Sequence, residues 1–137
     1  MIRIIETGAL MKILLVEDNP AHAELIIRGL EGHRIPTDIY HVADGETALK
    51  FLFRQGEFST PDSPTLPHVI LLDIRMPKKS GLDVLKEIKQ SEALRHIPVI
   101  ILTTSDARQD VTKAYANYVN SYLVKPVDFG RFTELMN

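Results

Sequence analysis

The chain has 137 residues, 45% of them apolar and 25% charged, which is the composition of one ordinary globular domain. Sixteen Lys and Arg against 18 Asp and Glu leave a formal charge of −2, so no basic excess exists to neutralise a nucleic-acid backbone. Cysteine is absent, which excludes a disulfide framework, a thiolate metal site and a cysteine nucleophile. The apolar runs are strand-sized and too short to span a bilayer, and residues 1–10 contain Glu6 and lack the apolar centre of a secretory signal. No membrane association is expected, and the expected location is the cytoplasm.

Short β-type runs alternate with helical ones. Residues 12–16 are a first strand, too short and too uniformly apolar for a helix. Pro20 opens a helix with Ala23, Ile26, Ile27 and Leu30 on one face. Residues 39–42 form a second strand, and 46–55 a second amphipathic helix with Ala48, Leu49, Leu52 and Phe53 inward. Three prolines make 59–67 a surface loop longer than the usual connection. Residues 69–72 are a continuous apolar run ending in Asp73, as expected of a central strand buried on both faces. Gly81 precedes a third helix with Leu82, Leu85 and Ile88 inward.

Pro98 leads into the apolar run 99–102, which ends in Thr103. Ser105 or Asp106 caps a fourth helix carrying Val111, Ala114 and Tyr115 inward. Residues 122–124 are a fifth strand, and a last helix begins at Val127, short enough that it is expected to continue in the natural protein. Residues 1–10 read as an N-terminal extension and 11–137 as the domain. Five βα units without a second domain predict an α/β, flavodoxin-like, doubly wound parallel sheet, whose ligands bind beyond the carboxyl ends of the strands.

At those ends stand Glu17 and Asp18, then Asp73, Thr103 and Lys125. Taken singly, each has an ordinary explanation. A lone Asp after a strand caps a loop, Glu17 and Asp18 suit a helix N-terminus, Thr103 suits a local hydrogen bond, and Lys125 a solvated loop. Together they say more. Three carboxylates in one place repel, and oxygen-only ligands select a hard divalent cation such as Mg²⁺. Carboxylate, metal, ammonium and hydroxyl describe a phosphoryl site in which an Asp can become an aspartyl-phosphate. The five histidines (His22, His33, His41, His68 and His96) share no metal spacing and read as surface or loop residues without a catalytic role.

These segments resemble the receiver domain of two-component response regulators. The likeness rests on Leu14 to Pro20 (LLVEDNP), Leu71 to Pro77 (LLDIRMP), Gly81, Ile101 to Ser105 (ILTTS) and Tyr122 to Pro126 (YLVKP). Residues 48–58 and the Pro-rich loop are similar to a narrower group, the small stand-alone regulators associated with cyanobacterial-type phytochromes. The resemblance implies a (βα)5 fold with Asp73 as phosphoacceptor. It implies Asp18 as direct Mg²⁺ ligand, Glu17 acting through water, and the Arg75 backbone carbonyl as a further ligand. Thr103 and Tyr122 are implied as the switch pair and Lys125 as the phosphate-binding lysine.

Some positions vary between family members: Thr104 stands where a small residue is common, and Arg75 and Ser105 occupy the two positions that tend to set aspartyl-phosphate lifetime. The implied function is that of a single-domain regulator, not a classical enzyme, phosphorylated by a histidine kinase or phosphotransfer protein. No DNA-binding domain is expected, so output is expected through a downstream partner protein, dimerisation or onward phosphotransfer. Tyr115, Tyr118, Tyr122, Phe129 and Phe132 near one end, together with the habit of related regulators, lead to an expectation of homodimerisation there.

Three competing functions fit less well. A haloacid-dehalogenase-type phosphatase needs a second Asp where Arg75 stands. A flavin site needs a phosphate-cradling loop where the acidic Asp18-Asn19-Pro20 stands. A degenerate receiver acting as a phosphorylation-independent binding module has no need of intact Asp18, Asp73, Thr103 and Lys125.

Overall fold

The computed structural model describes residues 10–32, 36–103 and 121–136. Five strands form one parallel sheet: β1 (Met11–Val16), β2 (Thr37–Val42), β3 (Val69–Asp73), β4 (Val99–Thr103) and β5 (Ser121–Val124). Their order is β2-β1-β3-β4-β5, the doubly wound arrangement expected from the alternating pattern. Among the described residues the helices are α1 (Pro20–Glu31), α2 (Gly45–Leu52), α3 (Gly81–Gln90) and α4 (Phe129–Met136). No helix among them is long and apolar enough to cross a membrane.

Strand periodicity splits the core in two. Leu14, Val16, Ile70, Leu72, Val99 and Ile101 face α2 and α3, where Phe51, Val84, Leu85 and Ile88 meet them. Ile13, Leu15, Val69, Leu71, Ile100 and Leu102 face the other way, onto Ala23, Ile26 and Leu30 of α1 and Phe132 of α4. Burial on both faces explains why β3 and β4 read as unbroken apolar runs.

Local chemistry sets the helix ends. Asn19 Oδ1 accepts from the Ala21 and His22 amides at 3.0 and 3.2 Å, and Pro20 occupies the first turn of α1, where no amide is needed. Asp44 caps α2, accepting from the Thr47 amide at 2.7 Å and its hydroxyl at 3.0 Å. The amide bond chiefly holds the Asp44 carboxyl below its ordinary range, against the opposing effect of burial. Asp44→Ala is expected to cost about 1 kcal/mol at neutral pH. Because the folded-state value is lowered, the stabilisation from the ionised cap is present above the unfolded value of 3.8 and fades as pH falls through the folded one. Urea unfolding of both proteins at neutral pH and well below 3.8 checks this: the gap between them shrinks in acid.

α2 ends three residues earlier than its periodicity predicts. Arg54 adopts a left-handed backbone at φ 58°, while the Arg54 amide donates to Phe51 O at 3.3 Å and the Gln55 amide to Lys50 O at 2.8 Å. This is a Schellman end with arginine where glycine is usual, so the residue signal for it is missing. Phe53 is accordingly exposed, and Phe51 takes the inward place, stacked on Tyr40 at 4.9 Å and edge-on to Phe58 at 5.2 Å. The Arg54 side chain turns back over the Phe51 ring and donates to the carbonyls of Pro64 and Ser63. It thereby ties down the Pro-rich loop, which also receives the Lys12 ammonium at the Thr65 hydroxyl.

α4 begins at Phe129 rather than Val127, after Asp128 Oδ1 accepts from the Gly130 amide at 2.9 Å. Phe132 is buried, and Phe129 and Tyr122 pack partly against the core. Of these three aromatics Phe132 is therefore a core residue, while Tyr122 and Phe129 remain half-exposed. Tyr115 and Tyr118, the whole predicted fourth helix with its cap at Ser105 or Asp106, and Thr104 lie outside the described residues, as do residues 1–9.

Candidate functional site

Register brings the predicted residues together. Val16 pairs with Leu72, so Glu17 and Asp73 leave the sheet at one level; Asp73 pairs with Leu102, and Thr103 with Val124 one residue further on. Glu17 is fully buried, its amide donating to Val42 O at 3.1 Å and its carbonyl lying 2.8 Å from His41 Nε2. Asp18 is half-buried in the turn that Asn19 closes. Asp73 is 4% exposed, and the Arg75 amide lies 3.4 Å from its Oδ1.

Behind Asp73 the chain doubles back closely. The Gly81 amide donates to Ile74 O at 2.9 Å, and a Cβ on Gly81 would sit 2.2 Å from the Asp73 carbonyl and 2.7 Å from Ile74 Cα. Only glycine allows that approach of backbone to backbone. Gly81→Ala is expected to lower stability by about 2–3 kcal/mol and to displace the Asp73 strand end. Thermal denaturation checks the first effect, and loss of Mg²⁺ affinity the second.

Oxygens of Glu17, Asp18 and Asp73 all lie within 4.8 Å of one another. Burial first, and then the Glu17 charge, push the Asp73 carboxyl up to about 7, against the opposing pull of Lys125. Lys125 follows β5 through a cis bond to Pro126, its amide donating to Thr103 O at 2.6 Å. Its Nζ donates to Glu17 Oε1 and Oε2 at 2.9 and 2.8 Å and stands 3.6 Å from Asp73 Oδ2. Thr103 is buried at the end of β4, and Tyr122 packs on the α2–α3 face of the sheet.

One ammonium therefore faces three carboxylates. That surplus of buried negative charge, made only of hard oxygen donors, fits a divalent cation of the Mg²⁺ type. Of the residues predicted for the site, Glu17, Asp18, Asp73 and Lys125 converge. Thr103 and Arg75 stand next to them in the chain fold, and Tyr122 lies one strand further out.

Sequence reasoning missed a residue here. His22, read as a bystander, places Nδ1 at 3.2 Å from Lys125 Nζ and 3.3 Å from Glu17 Oε1, with its side chain 40% exposed. The available signal was its place four residues after Asp18, in the first turn of a helix that starts at the strand end. His41 belongs to β2, where it supports Glu17, and His68 Nδ1 accepts from the Lys12 amide at 2.8 Å. His33 lies outside the described residues.

Comparison with known proteins agrees with this geometry. The chain is 48% identical over 118 residues to the probable methanogenesis regulatory protein FilR2 of Methanothrix harundinacea, covering 85% of this chain and 73% of that one. It is 45% identical over 113 residues to response regulator Rcp1 of Synechocystis, covering 82% and 75%. The Mn²⁺-bound structure of Rcp1 superposes with a TM-score of 0.77 at 41% identity, over 91% of this chain and 88% of that one. The phosphorylated cyanobacterial phytochrome response regulator RcpA superposes with a TM-score of 0.78 at 38% identity, over 93% and 89%. Residues 13–137 match the family described as the response regulator receiver domain, and the chain belongs to that family.

Proposed function

We propose that this chain accepts a phosphoryl group on Asp73 from a histidine kinase or phosphotransfer protein, in a reaction that requires Mg²⁺, and that the modification alters its binding to a downstream partner. Receiver domains of response regulators are phosphoacceptors in phosphorylation-based signalling. The observation that carries the assignment to Asp73 is its buried carboxyl at the end of the central strand, within 4.8 Å of Glu17 and Asp18 oxygens and 3.6 Å from the Lys125 ammonium.

An Asp73 oxygen forms the new P–O bond while the bond from phosphorus to the donor breaks, the electron pair leaving with the donor. Asp18, Asp73 and the Arg75 carbonyl would hold a divalent cation, with Glu17 reaching it through water, and such a cation would supply positive charge beside the phosphoryl oxygens. Lys125 donates to one of those oxygens and the Thr103 hydroxyl to another. Movement of Thr103 toward the phosphoryl group makes room beside it for Tyr122, which links the modification to the β4–β5 surface. A cleft of about 500 Å³ between α1 and α4, with His22 and Lys125 among its lining residues, leaves room for a donor protein to approach. A cytoplasmic location goes with a kinase-supplied phosphoryl group.

Incubation with acetyl phosphate and Mg²⁺, followed by intact mass measurement, tests the reading. The expected result is one phosphoryl adduct, released by hydroxylamine. A folded protein that acquires none is instead a degenerate receiver that works by docking.

A further inference from the structure

We propose that His22 is a positioning residue that restrains Lys125 in the unphosphorylated protein, competing with the phosphoryl oxygen for one N–H of the ammonium. The inference rests on the reading of Asp73 as phosphoacceptor and of Lys125 as its cationic partner.

A lysine ammonium has three N–H donors and no acceptor. At Lys125 all three are engaged: two by Glu17 Oε1 and Oε2 at 2.9 and 2.8 Å, and the third by His22 Nδ1 at 3.2 Å. Asp73 Oδ2, at 3.6 Å, is left outside hydrogen-bond reach although it carries the opposite charge. An ammonium only donates, so in this bond Nδ1 is the acceptor and the imidazole proton is assigned to Nε2, which leaves the same lone pair facing Glu17 Oε1 at 3.3 Å and weakens the His22 contact. His22 is in turn held by the start of α1, where its amide donates to Asn19 Oδ1 at 3.2 Å. The ring thus rides on a capped helix, while Lys125 rides on the segment after β5.

The three bonds are unequal. All three share a charged donor, but only the two to Glu17 also have a charged acceptor. The bond to His22 is the longest and its acceptor is uncharged, so it is the one surrendered. A phosphoryl group on Asp73 offers three strong acceptor oxygens and close to two negative charges. It outcompetes the imidazole, yet every binding event must first break the His22 contact. His22 therefore lowers the affinity of the site for phosphoryl groups.

Calorimetric titration of the full chain with beryllofluoride, a phosphoryl mimic, in the presence of Mg²⁺ tests this. His22→Leu removes the acceptor and keeps the bulk; His22→Asn keeps an acceptor oxygen near the position of Nδ1. The Leu variant is expected to bind beryllofluoride about 3- to 10-fold more tightly, since the contact surrendered is long and has an uncharged acceptor. The Asn variant is expected to return to the wild-type affinity. Because His22 also lies 3.3 Å from Glu17, Mg²⁺ affinity is measured separately and the beryllofluoride affinities are compared at saturating Mg²⁺. Unchanged or weaker beryllofluoride binding by a folded Leu variant would overturn the proposal, as would an Asn variant that behaves like Leu. Wild-type protein that binds no beryllofluoride and takes no phosphoryl group from acetyl phosphate would overturn the phosphoacceptor reading and this inference with it. Wild-type binding left unmoved by His22→Leu removes the inference alone.

Discussion

Asp73→Asn is expected to abolish phosphoryl labelling by acetyl phosphate and, at the same time, to make the metal-free protein more stable. The first effect follows from the nucleophile. An amide oxygen at the same place cannot form the acyl phosphate, and no other carboxylate lies at the end of the central strand with Lys125 in reach. The second follows from electrostatics. Three carboxylates crowd within 4.8 Å while one ammonium answers them, and Asp73 is already driven up to about 7 by burial and by Glu17. Removing one of the repelling charges while keeping the shape relieves that cost. One pKa unit is worth about 1.4 kcal/mol, and water reaching the half-buried Asp18 side discounts the gain, so a stabilisation of about 1–2 kcal/mol is expected. Intact mass and urea unfolding in EDTA measure the two effects on one sample. Labelling equal to wild type, or a clear loss of stability, would sink the assignment of Asp73.

The neighbouring acids should separate sharply, although both belong to the same cluster. Asp18→Ala is expected to abolish Mg²⁺ binding and, with it, labelling, because it removes a direct hard ligand. Its effect on metal-free stability should be small and favourable, for the reason given for Asp73→Asn. Glu17→Ala is expected only to weaken Mg²⁺ binding, its contact being through water, but to destabilise the fold. Glu17 accepts two of the three Lys125 N–H bonds and is fully buried, and deleting one member of a buried pair strands the other. Such losses run to about 3–5 kcal/mol, reduced here by the relief of repulsion with Asp73 to about 2–3 kcal/mol. Metal titration and urea unfolding of the two variants read these opposite patterns. Labelling of the wild type that survives EDTA would refute the metal requirement, and a Glu17→Ala protein as stable as wild type would refute the role given to the Glu17–Lys125 pair.

Sequence and structure agree most closely where a local pattern has only one three-dimensional solution. The apolar runs at 69–72 and 99–102 are too long to alternate and too short for helices, so they must be central strands covered on both faces. Agreement fails where the deciding residue breaks the usual composition rule. Arg54 ends α2 in a left-handed conformation that glycine normally supplies, and the helical phase beyond it misassigned Phe53 to the core in place of Phe51. Among the aromatics near the chain's end, count and proximity in sequence do not reveal that Phe132 belongs to the core on the α1 side.

For the site itself, chain order alone determined which chemical groups stand at the strand ends. A run of apolar residues that stops at Glu17, Asp73 or Thr103 marks the sheet's edge, and the residue following it is placed there by the run's own length. What the groups do to one another was decided only in three dimensions. Glu17 and Lys125 are 108 positions apart, and their pairing depends on the register of three intervening strand pairings and on the path of the chain after β5. His22 joins them because α1 begins immediately above the same edge, with its first turn fixed by Asn19. Side-chain periodicity reports which face of an element is buried. It carries no information about which polar atoms on two different elements come within 3 Å, because that distance is set by how the whole sheet and its helices pack.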